Sequence, residues 1–436
     1  MRNFFMLTYM GKGSVWPMGI IAGNIQLALV GKTTTHTPGL TDFPKIQLQK
    51  IEYRASPIIQ ISGEPMKKLG KVLAVLAVSL FALTGAASAG DTIKLGVAGA
   101  HSGDLASYGL PSVKAAELVV KKINAQGGVL GKQVELLIED DVCKPEVAGN
   151  TATKLVSDGA EVVMGHICSG ATKSALGIYK DSGIVTMSPS ATSPSLTLSG
   201  DYPNFFRTIA HDAAQAQLQT QYAMEVLKIK TIAVLHDKGD YGKGQAELAK
   251  KYFTEAGAKV VLFEGVTPGA VDYSAIVTKV RSKKPDLIIW GGYHPEASKI
   301  VTLMRKKRMK NLFMGGDGVK DDTFIKVAGK YCEGVYATGP MDISQNPLAI
   351  AAKKEHQDAY GSDPGAFFDN AYAATLALLN AIEKAGSTDY NAVVKALQTE
   401  YVDTPLGKIK FDANGDATGI GFSVYRVENG AFVEQK

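Results

Sequence analysis

Residues 93–123 read IKLGVAGAHSGDLASYGLPSVKAAELVVKKI, and this stretch decides the fold. Residues 93–98 form an apolar run short enough for a buried strand. Residues 99–109 (GAHSGDLASYG) are a polar segment rich in glycine. The helical pattern 113–123 then sets Val113, Ala116, Val119, Val120 and Ile123 on one face. The unit recurs. Further strand candidates are 134–138, 162–164, 184–187, 232–235, 260–263, 287–290 and 312–314. Amphipathic patterns at 147–156, 213–226, 246–256, 273–280 and 295–307 lie among them. Strands alternating with helices of this length imply βαβ units in doubly wound α/β lobes with parallel sheets.

The pattern restarts near Ala210-His211 and changes near Gly339-Pro340. Three helices follow, at 348–360, 367–384 and 390–399, and then a hairpin-like end. That end combines 408–411, 422–427 and 432–433, with turn signals at Asn414-Gly415 and Asn429-Gly430. The expected division is one lobe from 91–210 plus 340–418 and a second from 211–339 plus 419–436. Ligands of open parallel sheets bind beyond the carboxyl ends of the strands, so the hinged cleft between the lobes is the natural site.

Upstream, Met66-Lys67-Lys68-Leu69-Gly70-Lys71 precedes an apolar run from Val72 to Leu83 and the small-residue tail Thr84–Gly90. That is an export signal peptide over 66–89 with cleavage after Ala89. Such a leader is read from an N-terminus, so translation is expected to start at Met66. Residues 1–65 would be an upstream extension, disordered in character. No Cys stands at the cleavage site, which argues against a lipid anchor. Residues 1–89 hold nine basic and three acidic residues, against 47 and 42 in the whole chain. The exported part keeps 38 basic and 39 acidic residues, a net of −1, so the overall +5 belongs to the leader region. Nothing electrostatic points to nucleic acid. Three scattered cysteines make no metal site. In an oxidising compartment Cys143 and Cys168, each after a strand end, are expected to pair, with Cys332 free; three buried thiols are the alternative.

Five segments after strand ends carry polar and aromatic residues that a core would not want. They are 99–109, 165–172 (GHICSGAT), 187–194 (MSPSATSP), 236–242 (HDKGDYG) and 291–296 (GGYHPE), the last followed by 314–318 (MGGDG). Their order and spacing resemble the periplasmic branched-chain amino-acid binding proteins, the leucine/isoleucine/valine type that feeds an ABC importer. The resemblance runs from Asp91 to the C-terminus. It implies a type I periplasmic binding protein fold, a free L-amino acid as ligand, a membrane permease as partner, a monomer in the periplasm, and no cofactor or catalytic residue.

Physical chemistry assigns the parts. Ser169 and Thr192 stand where helices begin, and their hydroxyls with nearby backbone N–H groups suit a carboxylate; plain N-capping is the other reading. The resemblance places the ligand carboxylate there, with Cys168 and Ala191 beside it. The resemblance also implies that Asp317, in Gly-Gly-Asp-Gly, accepts a hydrogen bond from the ligand ammonium; an Asp in a tight turn is the other reading. The family usually has Glu at that position, one methylene longer. The Ser190 carbonyl would be a second acceptor, where the family more often has Ala. Tyr108, Ile167, Tyr241, Tyr293 and Phe367 would line the side-chain pocket, although aromatic residues also serve as core.

Glu139-Asp140-Asp141 reads as a solvated strand terminus and His166 as a locally hydrogen-bonded imidazole. No nucleophile elbow, Walker sequence or zinc-protease motif occurs. A ligand-sensing receptor, or an amide or γ-aminobutyrate binder of the same fold, is the alternative function.

Overall fold

The structure is a computed structural model describing residues 92–435 and the backbone of 5–11 and 14–20. In the latter, Phe5–Gly11 and Ser14–Ile20 pair as an antiparallel hairpin. The leader 66–89 and the rest of the upstream region lie outside the described residues.

Two sheets organise residues 92–435. The first has five parallel strands, in the order Val134–Asp140, Ile93–Gly99, Val162–Met164, Val185–Ser188, Phe205–Arg207. The second has seven. Its parallel part runs Lys259–Gly265, Thr231–His236, Leu287–Gly291, Leu312–Gly315, Tyr336–Pro340. In both parallel series the chain's second strand lies outside its first, and the third lies on the other side. Each sheet therefore has a topological switch point between its first and third strands. The segments 99–109 and 165–172 leave one switch point; 236–242 and 291–296 leave the other.

The second sheet is mixed rather than wholly parallel. Phe422–Glu428 joins antiparallel to Tyr336–Pro340, and Ala431–Gln435 pairs with it in turn. The two-residue connection Asn429-Gly430 has φ of 53° and 74°, which only Asn and Gly adopt readily. The strand expected at 408–411 is different. Gly407–Ile409 pairs with Val402–Thr404, not with the terminal hairpin. Asn414-Gly415 therefore joins no two strands of one hairpin. It lies in a turn that lays Gly415 against the first sheet, where its carbonyl accepts from Arg207 N at 3.0 Å.

Helices cover both faces because both faces of a parallel sheet are apolar. One core sets Leu95, Val97, Met164 and Met187 against Val119 and against Phe368, Leu378 and Ile382 of the helix Phe368–Ala385. Two further cores sandwich the second sheet, one around Ile288, Trp290 and Phe313, the other around Val234, Ile289 and Met314. The chain thus passes between the two sheets and their helices three times, at 208–211, 341–346 and 418–421. At the first crossing Thr208 Oγ1 donates to Asn370 O at 2.8 Å, and Asn370 Nδ2 donates to Thr208 O at 2.6 Å.

Candidate functional site

Strand carboxyl ends of the two sheets face each other across a narrow cavity. Its wall consists of Tyr108, Ile167, Cys168, Ser169, Ser190, Tyr241, Tyr293, Asp317, Gly318 and Phe367. Ala191 and Thr192, expected in the same group, are fully buried and do not line it. Arg207 anchors this loop: its Nη1 donates to Ala191 O at 3.2 Å and Ser193 O at 2.9 Å.

The first lobe supplies a hydroxyl wall. Ser169 opens the helix Ser169–Asp181, whose free N–H groups and dipole attract negative charge. Its Oγ accepts from Ser193 N at 3.2 Å, tying two site segments together. Ser190 Oγ donates to Ile167 O at 2.8 Å. Behind them Ser188 Oγ accepts from Ala191 N at 2.9 Å and donates to His166 O. Cys168 is disulfide-bonded to Cys143. The bond encloses 25 residues, which corresponds to about 3.5 kcal/mol in the chain-entropy picture. Reduction should lower the urea midpoint of unfolding and weaken ligand binding, because the bond fixes the start of the Ser169 helix. An unchanged midpoint in reductant, with thiols titrated as free, would contradict that role. Cys332 is buried and unpaired with another cysteine.

The second lobe supplies a buried carboxylate. Asp317 is 3 % exposed, and its Oδ1 accepts from Tyr241 Oη at 2.7 Å and Gln215 Nε2 at 2.9 Å. Gln215 Oε1 accepts from Asp317 N at 2.7 Å and Thr338 Oγ1 at 2.6 Å. Burial raises the Asp317 carboxyl pKa, while the Gln215 and Tyr241 bonds oppose the shift. Gly316 is needed here: a Cβ would meet Gln245 Nε2 at 2.2 Å, Tyr241 Oη at 2.6 Å and Gln215 Oε1 at 2.8 Å.

Aromatic rings close the middle. Tyr293 lies 5.0 Å from Tyr241 and 6.0 Å from Tyr108, and Tyr108 is 5.7 Å from Phe367, centroid to centroid. Phe367 is held at φ 60°, an uncommon setting for a bulky residue that turns its ring into the cavity. Burial drives the phenols of Tyr108, Tyr241 and Tyr293 well above their usual pKa, so they remain neutral donors. Tyr108 also bridges the lobes. Its Oη lies 2.7 Å from both Gly318 O and His294 Nδ1. Both contacts are satisfied when the imidazole donates from Nδ1 and the phenol donates to the carbonyl. Tyr108→Phe should weaken binding by about 1 kcal/mol, near fivefold, by loosening the closed form; equal affinity in a fluorescence titration would contradict this.

A sequence profile of the periplasmic binding protein family matches residues 92–431. This chain belongs to that family. Among its relatives, the leucine-, isoleucine-, valine-, threonine- and alanine-binding protein of Pseudomonas aeruginosa is 38 % identical over 363 residues, 82 % of this chain and 95 % of the relative. The Leu/Ile/Val-binding protein of Escherichia coli is 37 % identical over 77 % of this chain and 90 % of its own length. The branched-chain amino acid transporter substrate-binding protein LivJ of Streptococcus pneumoniae, solved with isoleucine, has a TM-score of 0.71 at 28 % identity. That comparison covers 79 % of this chain and 100 % of the other.

Some residues of this periplasmic binding protein site give no local signal in the sequence. Gln215 sits in a helix whose turns look merely polar, yet it positions Asp317 from 102 residues away. His294 was legible only as part of a loop motif. Asp141, read as solvated, is fully buried: its Oδ2 meets His166 Nδ1 at 2.6 Å, and His166 Nε2 meets Tyr179 Oη at 2.9 Å. That inner triad props the backbone of 165–168 under the cavity. Glu139 pairs outward with Lys154. Among the described residues no group of three His, Cys, Asp or Glu could hold a metal ion.

Proposed function

We propose that this protein captures free aliphatic L-amino acids between its lobes and delivers them to a membrane ABC importer. The observation that carries the reading is the polarity of the cavity. One wall offers Ser169, Ser190 and a helix N-terminus, which suit a carboxylate. The opposite wall offers Asp317, a buried carboxylate that suits an ammonium. Tyr108, Ile167, Tyr241, Tyr293 and Phe367 leave an apolar space between. A zwitterion carrying an aliphatic side chain complements all three at once.

Ligand contacts to both lobes favour the closed form, so capture is a shift between two populations. The closed form is what a permease would receive. On this reading the leader ends at Ala89, and a monomer works in the periplasm. The amino acids for which these relatives are named support the aliphatic amino-acid class.

The test is calorimetric titration of purified protein, freed of carried-over ligand by unfolding and refolding. The panel holds Leu, Ile, Val, Ala, Thr, γ-aminobutyrate, an amide and a sugar. Submicromolar binding of the aliphatic L-amino acids is expected. Binding of the amide or sugar alone would move the function to a sensor or another importer.

A further inference from the structure

Behind Asp317 lies a second acid that no ligand contact explains. Asp212 opens the helix Asp212–Glu225 and is fully buried. Gln215 Nε2 reaches both acids, at 3.1 Å to Asp212 Oδ1 and 2.9 Å to Asp317 Oδ1. One amide group therefore holds two carboxyl groups close together out of water. The other oxygen, Asp212 Oδ2, is buried without a hydrogen-bond partner, and so is the hydroxyl of Thr192. The two residues are neighbours, since Asp212 N donates to Thr192 O at 2.9 Å.

We propose that Asp212 works as a neutral acid. It keeps its proton so that the buried cluster presents one negative charge, that of Asp317, to the one ammonium of the ligand. This rests on the amino-acid reading above.

Two like charges bridged by one amide cannot both ionise cheaply in a water-free site. The surroundings supply no cation to spare. Arg207 is the basic group facing Asp212, and it is already engaged by Asp416 Oδ1, Thr197 Oγ1 and the carbonyls of Ala191 and Ser193. Of the other ionisable neighbours, Tyr241 and Tyr293 are neutral phenols, and His211, which precedes Asp212, has its imidazole pKa lowered by burial and by Arg207, which favours the neutral form. The helix N-terminus, the Thr192 hydroxyl, Arg207 and Gln215 all favour a charged Asp212, but burial and the charge of Asp317 outweigh them and push its carboxyl well above the usual range. Of the two acids, Asp317 is the better anion, because it accepts from both Tyr241 and Gln215 and lines the cavity. Protonated at Oδ2, Asp212 becomes a donor whose adjacent acceptor is the otherwise unused Thr192 oxygen.

The experiment is difference infrared spectroscopy of the full chain at neutral pH, on wild type and on Asp212→Asn. It is repeated with carboxyl-labelled aspartate, so that the band is assigned to Asp. A protonated-carboxyl stretch in wild type that vanishes in the variant is expected, and it should persist at saturating L-leucine. A second variant guards against misfolding of the first. Asp317→Asn removes the neighbouring charge and should shift the titration of the band to lower pH. A third readout is stability. A buried acid with a raised pKa loses protons later than the unfolded chain does. Stability therefore falls as pH rises from the ordinary carboxyl range towards the folded titration, by up to tenfold in the unfolding constant per pH unit. Asp212→Asn should remove that slope. No aspartic band in wild type, a band unaltered in both variants, or loss of the band on adding L-leucine would overturn the proposal. Absence of any L-leucine binding would instead overturn the amino-acid reading and leave the protonation result standing.

Discussion

Asp317→Asn should weaken amino-acid binding by roughly 30- to 5,000-fold, the equivalent of about 2–5 kcal/mol for a desolvated charge left unpaired. The substitution keeps the shape of the side chain and an oxygen for Tyr241 and Gln215. It removes only the negative charge that faces the ligand ammonium. The ammonium then enters a closed, largely apolar space with no counter-charge, and that desolvation is what affinity loses. Calorimetry on the folded variant, with circular dichroism as the control for structure, measures the effect directly. Affinity within threefold of wild type would show that the ammonium lies elsewhere.

Arg207→Met should cost about 3–5 kcal/mol of folding stability. Arg207 is fully buried, and its guanidinium pairs with Asp416 while bonding Thr197 and two backbone carbonyls of the 191–193 loop. Asp416 Oδ2 also accepts from Thr197 Oγ1 at 3.1 Å. Methionine fills much of the volume but leaves Asp416 Oδ1, the Thr197 oxygen and the Ala191 carbonyl without the donor that Arg207 supplied. The urea midpoint should fall at an unchanged slope. Asp416→Asn placed on top should recover part of the loss, since the uncompensated charge is then gone. Binding should weaken with stability, because the same loop carries Ser190. A midpoint shift under 1 kcal/mol in equivalent free energy would mean that water or rearrangement satisfies these groups.

How much of this was legible in the sequence depended on distance along the chain. The βα alternation survives in short windows, so strands such as Ile93–Gly99 and Leu287–Gly291 and the helices after them could be read directly. Phe205–Arg207 and Tyr336–Pro340 could not: one is three residues long and is completed by a bridge from Arg207 to the distant Asp416, and the other ends in Gly-Pro and pairs with the distant Phe422–Glu428. The strand expected at 408–411 is present as Gly407–Ile409, but its partner is Val402–Thr404 rather than the terminal hairpin, because the identity of a partner strand is not a local property.

The site divides similarly. Loop residues with out-of-place polarity or rings, such as Ser169, Tyr241, Tyr293 and Asp317, stand out where glycines surround them, and they converge on one cavity. What supports them does not stand out. Gln215 is an ordinary polar residue of a helix, and Asp212 looks like any acidic first-turn residue. Asp141 looks solvated because nothing nearby shows that His166 folds over it. Ala191 and Thr192, read as part of the ligand site, are fully buried, and no local signal in the sequence shows that Arg207 holds their loop by its carbonyls.

The most direct test of the central claim compares L-leucine with its two half-molecules, 4-methylpentanoate, which lacks the ammonium, and 3-methylbutylamine, which lacks the carboxylate. If Asp317 takes the ammonium and the Ser169 helix start takes the carboxylate, calorimetry should show leucine bound tightly and each half-molecule at least 100-fold more weakly. Either half-molecule binding as tightly as leucine would contradict the account.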